Sequence, residues 1–308
     1  MTCGRPIRLG VLTLFVLGLA ATQAAAWGPA VHVYVADHTG KLWPFLNRTE
    51  MYGSTLPDMC YFAYSKGPVF QATCAGVIHD YSYMAMWDGA FNLQTVALGY
   101  GYESHHEADI TAHQAGILVG RNEGYVIQKA EILAGVLWPE LQKLGLDYGQ
   151  VQAIAHNLIE VGTDVLVKRV DPLIGSKLTL AALLRGPFVP QQLGAVYAGE
   201  LAFQLGTPWT PAEAASELAE AEIEFRIAMV VYGLALMKDE DAAILTLAQQ
   251  FAAIASNWGV DPETPGLTSL IENAIKAAVA LCEPDLRLEL AATTWAVRVR
   301  LWQQGVAY

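Results

Sequence analysis

The sequence predicts an all-α protein. Strand-like alternation of apolar and polar residues is scarce, several stretches open on helix-capping residues, and the chain beyond residue 170 is Ala/Leu-rich with helical spacing. Residues 1–26 read as a secretory signal. Arg5 and Arg8 precede an apolar run over 9–21, and small residues lead to an A-x-A site at Ala24–Ala26. The run is short for a stable membrane span, and Cys3 lies on the wrong side of it for a lipoprotein. An uncleaved anchor is the alternative. Cleavage before Trp27 predicts a secreted or periplasmic protein of 282 residues, the 308 of the full chain less these 26.

The mature chain divides into a core over 27–170 and a helical region over 171–308 that packs on it, most simply as one domain. A first helix is expected over 31–46, stopped near Pro44. Residues 49–78 are Gly/Pro/Ser/Tyr-rich and read as irregular loop. A helix over 90–117 passes through the His-rich segment, with Gly99 and Gly101 interrupting it. Asn122 is a candidate cap for a helix to about 144, and Asp147 for the next, to about 170. Thr210-Pro211-Ala212-Glu213 is a capping box with proline at the first helical position, opening a helix to about 238. Helices over 240–257, 267–282 and 285–303 complete the chain.

The full chain has a net charge of −12, which becomes −14 from Trp27 onward because residues 1–26 hold two arginines and no acid. That balance disfavours long nucleic acid as a partner and accommodates cationic metal. Of the cysteines beyond residue 26, Cys60 and Cys74 are close enough in sequence to close a loop beside Asp58 in an exported protein. Buried free thiols are the alternative, and Cys282 fits it.

All seven histidines lie between positions 32 and 156. His105, Asp109 and His113 are spaced i, i+4, i+8, which puts them along one helical face. His156 and Glu160 repeat the i, i+4 spacing, and Asp164 extends that row as a residue able to orient a ligand. Asp58, after Pro57, and His79 sit in the loop region, where they can close a site. A free amine and carbonyl at Trp27, with His32, can chelate a further ion. Imidazole and carboxylate are ligands that zinc takes at catalytic sites. His38 and His106 fall off the ligand face. Taken singly, each piece reads more readily as a surface or capping pair or a turn residue; the combination points to a metal cluster.

These residues resemble the zinc-dependent phospholipase C family, part of a group that includes fungal zinc nucleases and the catalytic domain of glycosylphosphatidylinositol-specific phospholipase D. The resemblance rests on the start W-G-x-x-x-H, an Asp in a P-D turn, a lone His, H-x-x-x-D, a further His, and H-x-x-x-E. The run Ser104 to His113 looks closest to the phospholipase D branch. The likeness covers roughly residues 27–170. It implies three zinc ions: one on Asp58, His79, His105 and Asp109; one on His113, His156 and Glu160; and one on Trp27 and His32, with Asp109 bridging the first and third. It also implies phosphodiester hydrolysis by a metal-activated water, with Asp58 as the catalytic residue that steers that water or takes its proton. Tyr61, Phe62, Tyr64, Tyr81, Tyr83 and Trp87 flank the loop ligands. They read as an apolar mouth for a phospholipid, as stacking surfaces for a base, or as ordinary core and loop aromatics. The charge and the motif branch favour a phospholipid substrate and contact with a membrane surface. A zinc nuclease or phosphatase is the competing enzyme, and a non-catalytic exported metal- or lipid-binding protein the competing class.

Overall fold

The structure, a computed structural model, describes residues 27–39, 44–81, 83–114 and 123–306. Residues 1–26, expected to be a signal, and Asn122, an expected cap, lie outside them. No strand occurs among the described residues, so the chain is all-α. No helix among them is long and apolar enough to cross a membrane.

Two helices replace the single one expected over 31–46. Helix α1 spans Pro29–Thr39 and α2 spans Pro44–Gly53. Both open on proline, whose fixed φ and missing N–H suit a first helical turn, so Pro44 starts a second helix instead of ending the first. The region 49–78 is not irregular either. It continues α2 into a 3-10 segment, Leu56–Phe62, then a short 3-10 turn, Tyr64–Lys66, helix α3, Gly67–Ala75, and a π turn, Gly76–Tyr81. Pieces this short leave no 3.6-residue pattern to read. Tertiary packing holds them: every residue from Glu50 to Cys60 is buried, and a disulfide joins Cys60 to Cys74. Cys282 is a buried free thiol.

Helix α4 spans Tyr83–Asp88, and α5, the long central helix, spans Leu93–His113 behind an Asn92/Thr95 capping box. Gly99 and Gly101 do not interrupt it. A Cβ on Gly101 would lie 2.1 Å from the Glu50 carbonyl oxygen, so the missing side chain lets α2 lie against α5. Helix α6 spans Tyr125–Leu141 and starts from Gly124. Asp147 caps α7, Tyr148–Val170, as its sequence predicts. Beyond it come α8, Ile174–Leu183, and α9, Val189–Leu205. Thr210 and Glu213 form the expected capping box of α10, Pro211–Leu236. Then follow α11, Glu240–Ala253, α12, Leu267–Cys282, and α13, Leu286–Gln303.

Helix α5 packs against α1, α2, α4, α6 and α13, while α7 lies against α1, α6 and α12. One apolar cluster runs from Trp27 and Val31 through Ile159 and Val165 to Phe225, Ile275 and Leu290, so both halves of the chain share a core. A polar contact ties them as well. Glu222 on α10 is fully buried, takes two bonds from Arg185 at 2.6 and 2.8 Å, and accepts the Tyr52 hydroxyl of α2 at 2.6 Å. Removing one partner of such a pair strands a buried charge. Arg185→Met is therefore expected to lose about 3–5 kcal/mol of stability in urea unfolding; a loss below about 1 kcal/mol would contradict this.

Candidate metal centre

Helix α5 turns His105, Asp109 and His113 to one side, and three other segments bring donors to meet them. Asp58 comes from the 3-10 segment, His79 from the π turn and His32 from α1. The disulfide links the Asp58 segment to α3, which runs straight into the turn carrying His79. His105 donates its Nδ1 hydrogen to the Ser54 carbonyl oxygen at 2.8 Å. A carbonyl can only accept, so this bond fixes the tautomer and leaves Nε2 as the ligand atom.

The four inner donors converge. Asp109 Oδ2 lies 3.0 Å from His79 Nε2 and 3.2 Å from His105 Nε2, and Asp58 Oδ1 lies 3.8 Å from both nitrogens. The other Asp109 oxygen, Oδ1, lies 3.2 Å from His32 Nε2. The His32 ring stacks on that of His105, centroids 3.9 Å apart. Four ligands about 2.0–2.1 Å from a tetrahedral zinc stand roughly 3.4 Å from one another, so these separations are those of a ligand set. Hydrogen bonding accounts for only part of this: His79 Nε2 bonds Asp109 Oδ2, but His32 Nε2, His105 Nε2, Asp58 Oδ1 and Asp109 Oδ1 are buried with no hydrogen bond that meets ordinary geometry. Two buried groups can thus each hold a metal ion, His32/His105/Asp109 and Asp58/His79/His105, their ligand atoms within 4.8 Å of one another.

The remaining predicted ligands lie side by side at the more open end. His113 Nε2 is 3.4 Å from His156 Nε2, which is 2.9 Å from Glu160 Oε1. His113 and His156 are half-buried, whereas His32 and His105 are buried. Trp27 is fully buried, donates its indole N–H to the carbonyl oxygen of Ala108, the residue before Asp109, at 3.1 Å and stacks on Tyr125. Asp164 bonds backbone next to a candidate ligand. Its Oδ1 accepts the Val31 backbone N–H at 2.9 Å, so it holds the start of α1, and His32 follows one residue later. A Cβ on Gly28 would sit 2.4 Å from Asp164 Oδ2, which is why that position takes glycine.

His38 is exposed and pairs with its own helix through the Tyr34 carbonyl oxygen; His106 is half-buried off the ligand set. Tyr61 lies edge-on to the His79 ring, and Phe62 packs on Phe225 rather than facing the site. The side chains of Tyr64, Tyr81 and Tyr83 lie outside the described residues. The Ser54 carbonyl contact and the π turn are parts of the site that carry no sequence signal. No family model, curated protein or solved structure matches the chain.

Burial pushes the Asp58 carboxyl up to about 7; His105 and His79 oppose the shift while Asp109 and Glu160 add to it. Burial also raises Asp164 to about 7, against the pull of the Ala30 and Val31 amides. It raises Glu103, on the opposite flank of α5, to about 8, with Glu107 and Asp88 adding to the effect. Burial acts upward on Asp109 too, but His105 and His32 overcome it and hold the carboxyl well below its usual range. In the unfolded chain these groups titrate near 4. Metal-free folded protein therefore keeps protons on Asp58, Asp164 and Glu103 that the unfolded chain has released, and its stability falls as pH rises from about 4 to about 8. Metal must displace the Asp58 proton, so stabilisation by zinc grows over the same window. Urea midpoints of chelator-treated and zinc-loaded protein between pH 5 and 8 check both signs; a metal-free midpoint that climbs with pH contradicts them.

Proposed function

We propose that the chain is an exported zinc-dependent hydrolase of phosphodiester bonds, acting on phospholipids in the manner of the phospholipase C family. The observation that carries this reading is the Asp109 carboxylate, one oxygen turned to His79 and His105 and the other to His32, the posture of a bridging ligand. Nitrogen and oxygen donors in a buried, thiol-free set match catalytic zinc. The assignment is Asp58, His79, His105 and Asp109 to one ion, His113, His156 and Glu160 to a second, and Trp27 with His32 to a third. The Cys60–Cys74 disulfide supports an oxidising compartment.

Bound zinc lowers the pKa of water and takes up charge on the phosphate. The chain's own residues do the rest. Asp109 spaces the two inner sets, and Ser54 locks the His105 ring. Asp58, its proton affinity raised by burial, orients the attacking water and accepts its proton. His113 and His156, half-buried beside the buried Glu160, form the more open side, from which a phosphate group enters. The net charge of the chain favours a lipid over a polynucleotide.

The test uses protein beginning at Trp27. Elemental analysis is expected to give about three zinc per chain, and phosphatidylcholine or phosphatidylinositol is expected to be cleaved in preference to single-stranded DNA. Asp58→Asn keeps a ligand oxygen but cannot take a proton, and is expected to lower kcat by about 10²–10⁴ with zinc retained. Residues left ahead of Trp27 are expected to cost one zinc and most turnover. Preference for DNA makes the protein a nuclease, and zinc-loaded protein that cleaves no phosphodiester removes the hydrolase reading altogether.

A further inference from the structure

Helix α13 carries a solvent-facing stripe that its packing on the protein does not explain. Leu288, Trp295 and Trp302 recur every seven residues and are 59%, 63% and 74% exposed. Seven residues return a helix to within about 20° of its starting direction, so the three form one stripe, roughly 21 Å long. Large apolar side chains normally go inside or stand singly at the surface. Here two indoles and a leucine line up, exposing on the order of 400 Å² of mostly apolar surface, comparable to the largest patch of an ordinary monomer.

The charge of the same helix runs against that of the chain. It holds Arg287, Arg298 and Arg300 and one acid, Glu289, which is buried, while the whole chain stands at −12. Helical geometry puts Arg287 and Arg298 along one flank of the stripe. Arg298 bonds the His38 carbonyl oxygen at 2.5 Å, and Arg300 pairs with Glu107 at 3.1 Å. The acids before the helix are engaged elsewhere, Glu283 with Arg169 and Asp285 with Lys129.

We propose that this face of α13 docks on a lipid surface bearing anionic headgroups, the indoles seated at headgroup level and the flanking arginines meeting phosphate. Tryptophan joins an apolar body to one polar N–H and settles at such boundaries, and cationic side chains beside it add attraction to anionic lipid. A partner helix fits less well, because coiled-coil seams take Leu, Ile and Val at the positions two tryptophans fill here. A second copy fits less well too, since the stripe falls short of the roughly 800 Å² per partner that a stable dimer buries. The opposite side of α13 packs on α1 and α5, the helices bearing His32, His105 and Asp109, so docking places the metal-site helices directly behind the membrane contact. The proposal goes beyond the hydrolase reading and stands on a different surface, and binding is measured without turnover.

Sedimentation with vesicles of phosphatidylcholine, alone or mixed with phosphatidylglycerol, tests it on the chain from Trp27, both zinc-loaded and chelator-treated. The expected result is preferential binding to the mixed vesicles with a blue shift of tryptophan emission. Trp295→Ala/Trp302→Ala is expected to weaken binding by about tenfold or more, Trp295→Phe/Trp302→Phe to restore part of it, and about 1 M salt to weaken the anionic preference. Both indoles are exposed, so circular dichroism and zinc content should be unchanged by either variant. Equal binding by parent and alanine variant overturns the proposal, as does failure of the parent to bind either vesicle. So does a parent dimer that the alanine variant dissociates, which would make the stripe a contact between copies. Vesicle binding by zinc-loaded protein that cleaves no lipid leaves the surface standing and removes only the hydrolase reading.

Discussion

The Asp109 carboxylate is the group around which the rest of this molecule is arranged. It is buried, it stays ionised, and it lies within 3.2 Å of three imidazole nitrogens. Taking a carboxylate out of water costs several kcal/mol unless positive charge and well-placed donors replace the lost solvation. Neutral imidazoles supply hydrogen bonds and no charge. Protonated ones supply charge but crowd one another, as the stacked rings of His32 and His105 show. A cation among the rings would satisfy the carboxylate. Such a role would give a reason for four chain segments, remote in sequence, to bring their donors to one place.

Holding those segments falls to groups outside the ligand set. Asp164 and the Trp27 indole fix the start of α1, the Cys60–Cys74 bond joins the Asp58 segment to the helix before His79, and the Ser54 carbonyl locks His105. The C-terminal helices act from behind. Thr293 and Arg300 of α13 reach Thr111 and Glu107 on the rear face of α5, and α10 meets α2 through Glu222 and Tyr52. The region after residue 170 is therefore part of the scaffold that aims α5, whatever else its outer surface does.

Legibility from sequence followed the range of the interactions. Features set within one turn of helix could be read directly: the His105/Asp109/His113 row, the His156/Glu160 pair, and the caps at Asp147 and Thr210. The clustered donors His32, Asp58, His79, His105 and Asp109 were legible as residue types in order, because imidazoles and carboxylates at such spacing point to one another. What escaped depends on distant partners. Residues 49–78 lack helical periodicity because their helical turns are short and packed on all sides, and Pro44 reads as a stop until the second helix behind it is seen. Asp164 continues the spacing of His156 and Glu160, yet its partner is a backbone amide far earlier in the chain.

That last contact bears on how a chain terminus could serve as a ligand. A terminal residue is ordinarily the least ordered part of a domain, and a frayed end makes a poor chelate because ordering it opposes binding. Here the order comes from groups other than the amine. The indole of Trp27 is buried against Tyr125 and bonded to Ala108, Gly28 lies against Asp164 with no room for a side chain, and Val31 is held by the same carboxylate. None of these contacts uses the Trp27 backbone nitrogen, so they form equally with a peptide bond or a free amine at that position. Folding then positions Trp27, and removal of residues 1–26 would convert its backbone nitrogen from an amide, which has no lone pair to give, into an amine that has one. On the zinc hydrolase reading, export would complete a site whose geometry the fold has already set.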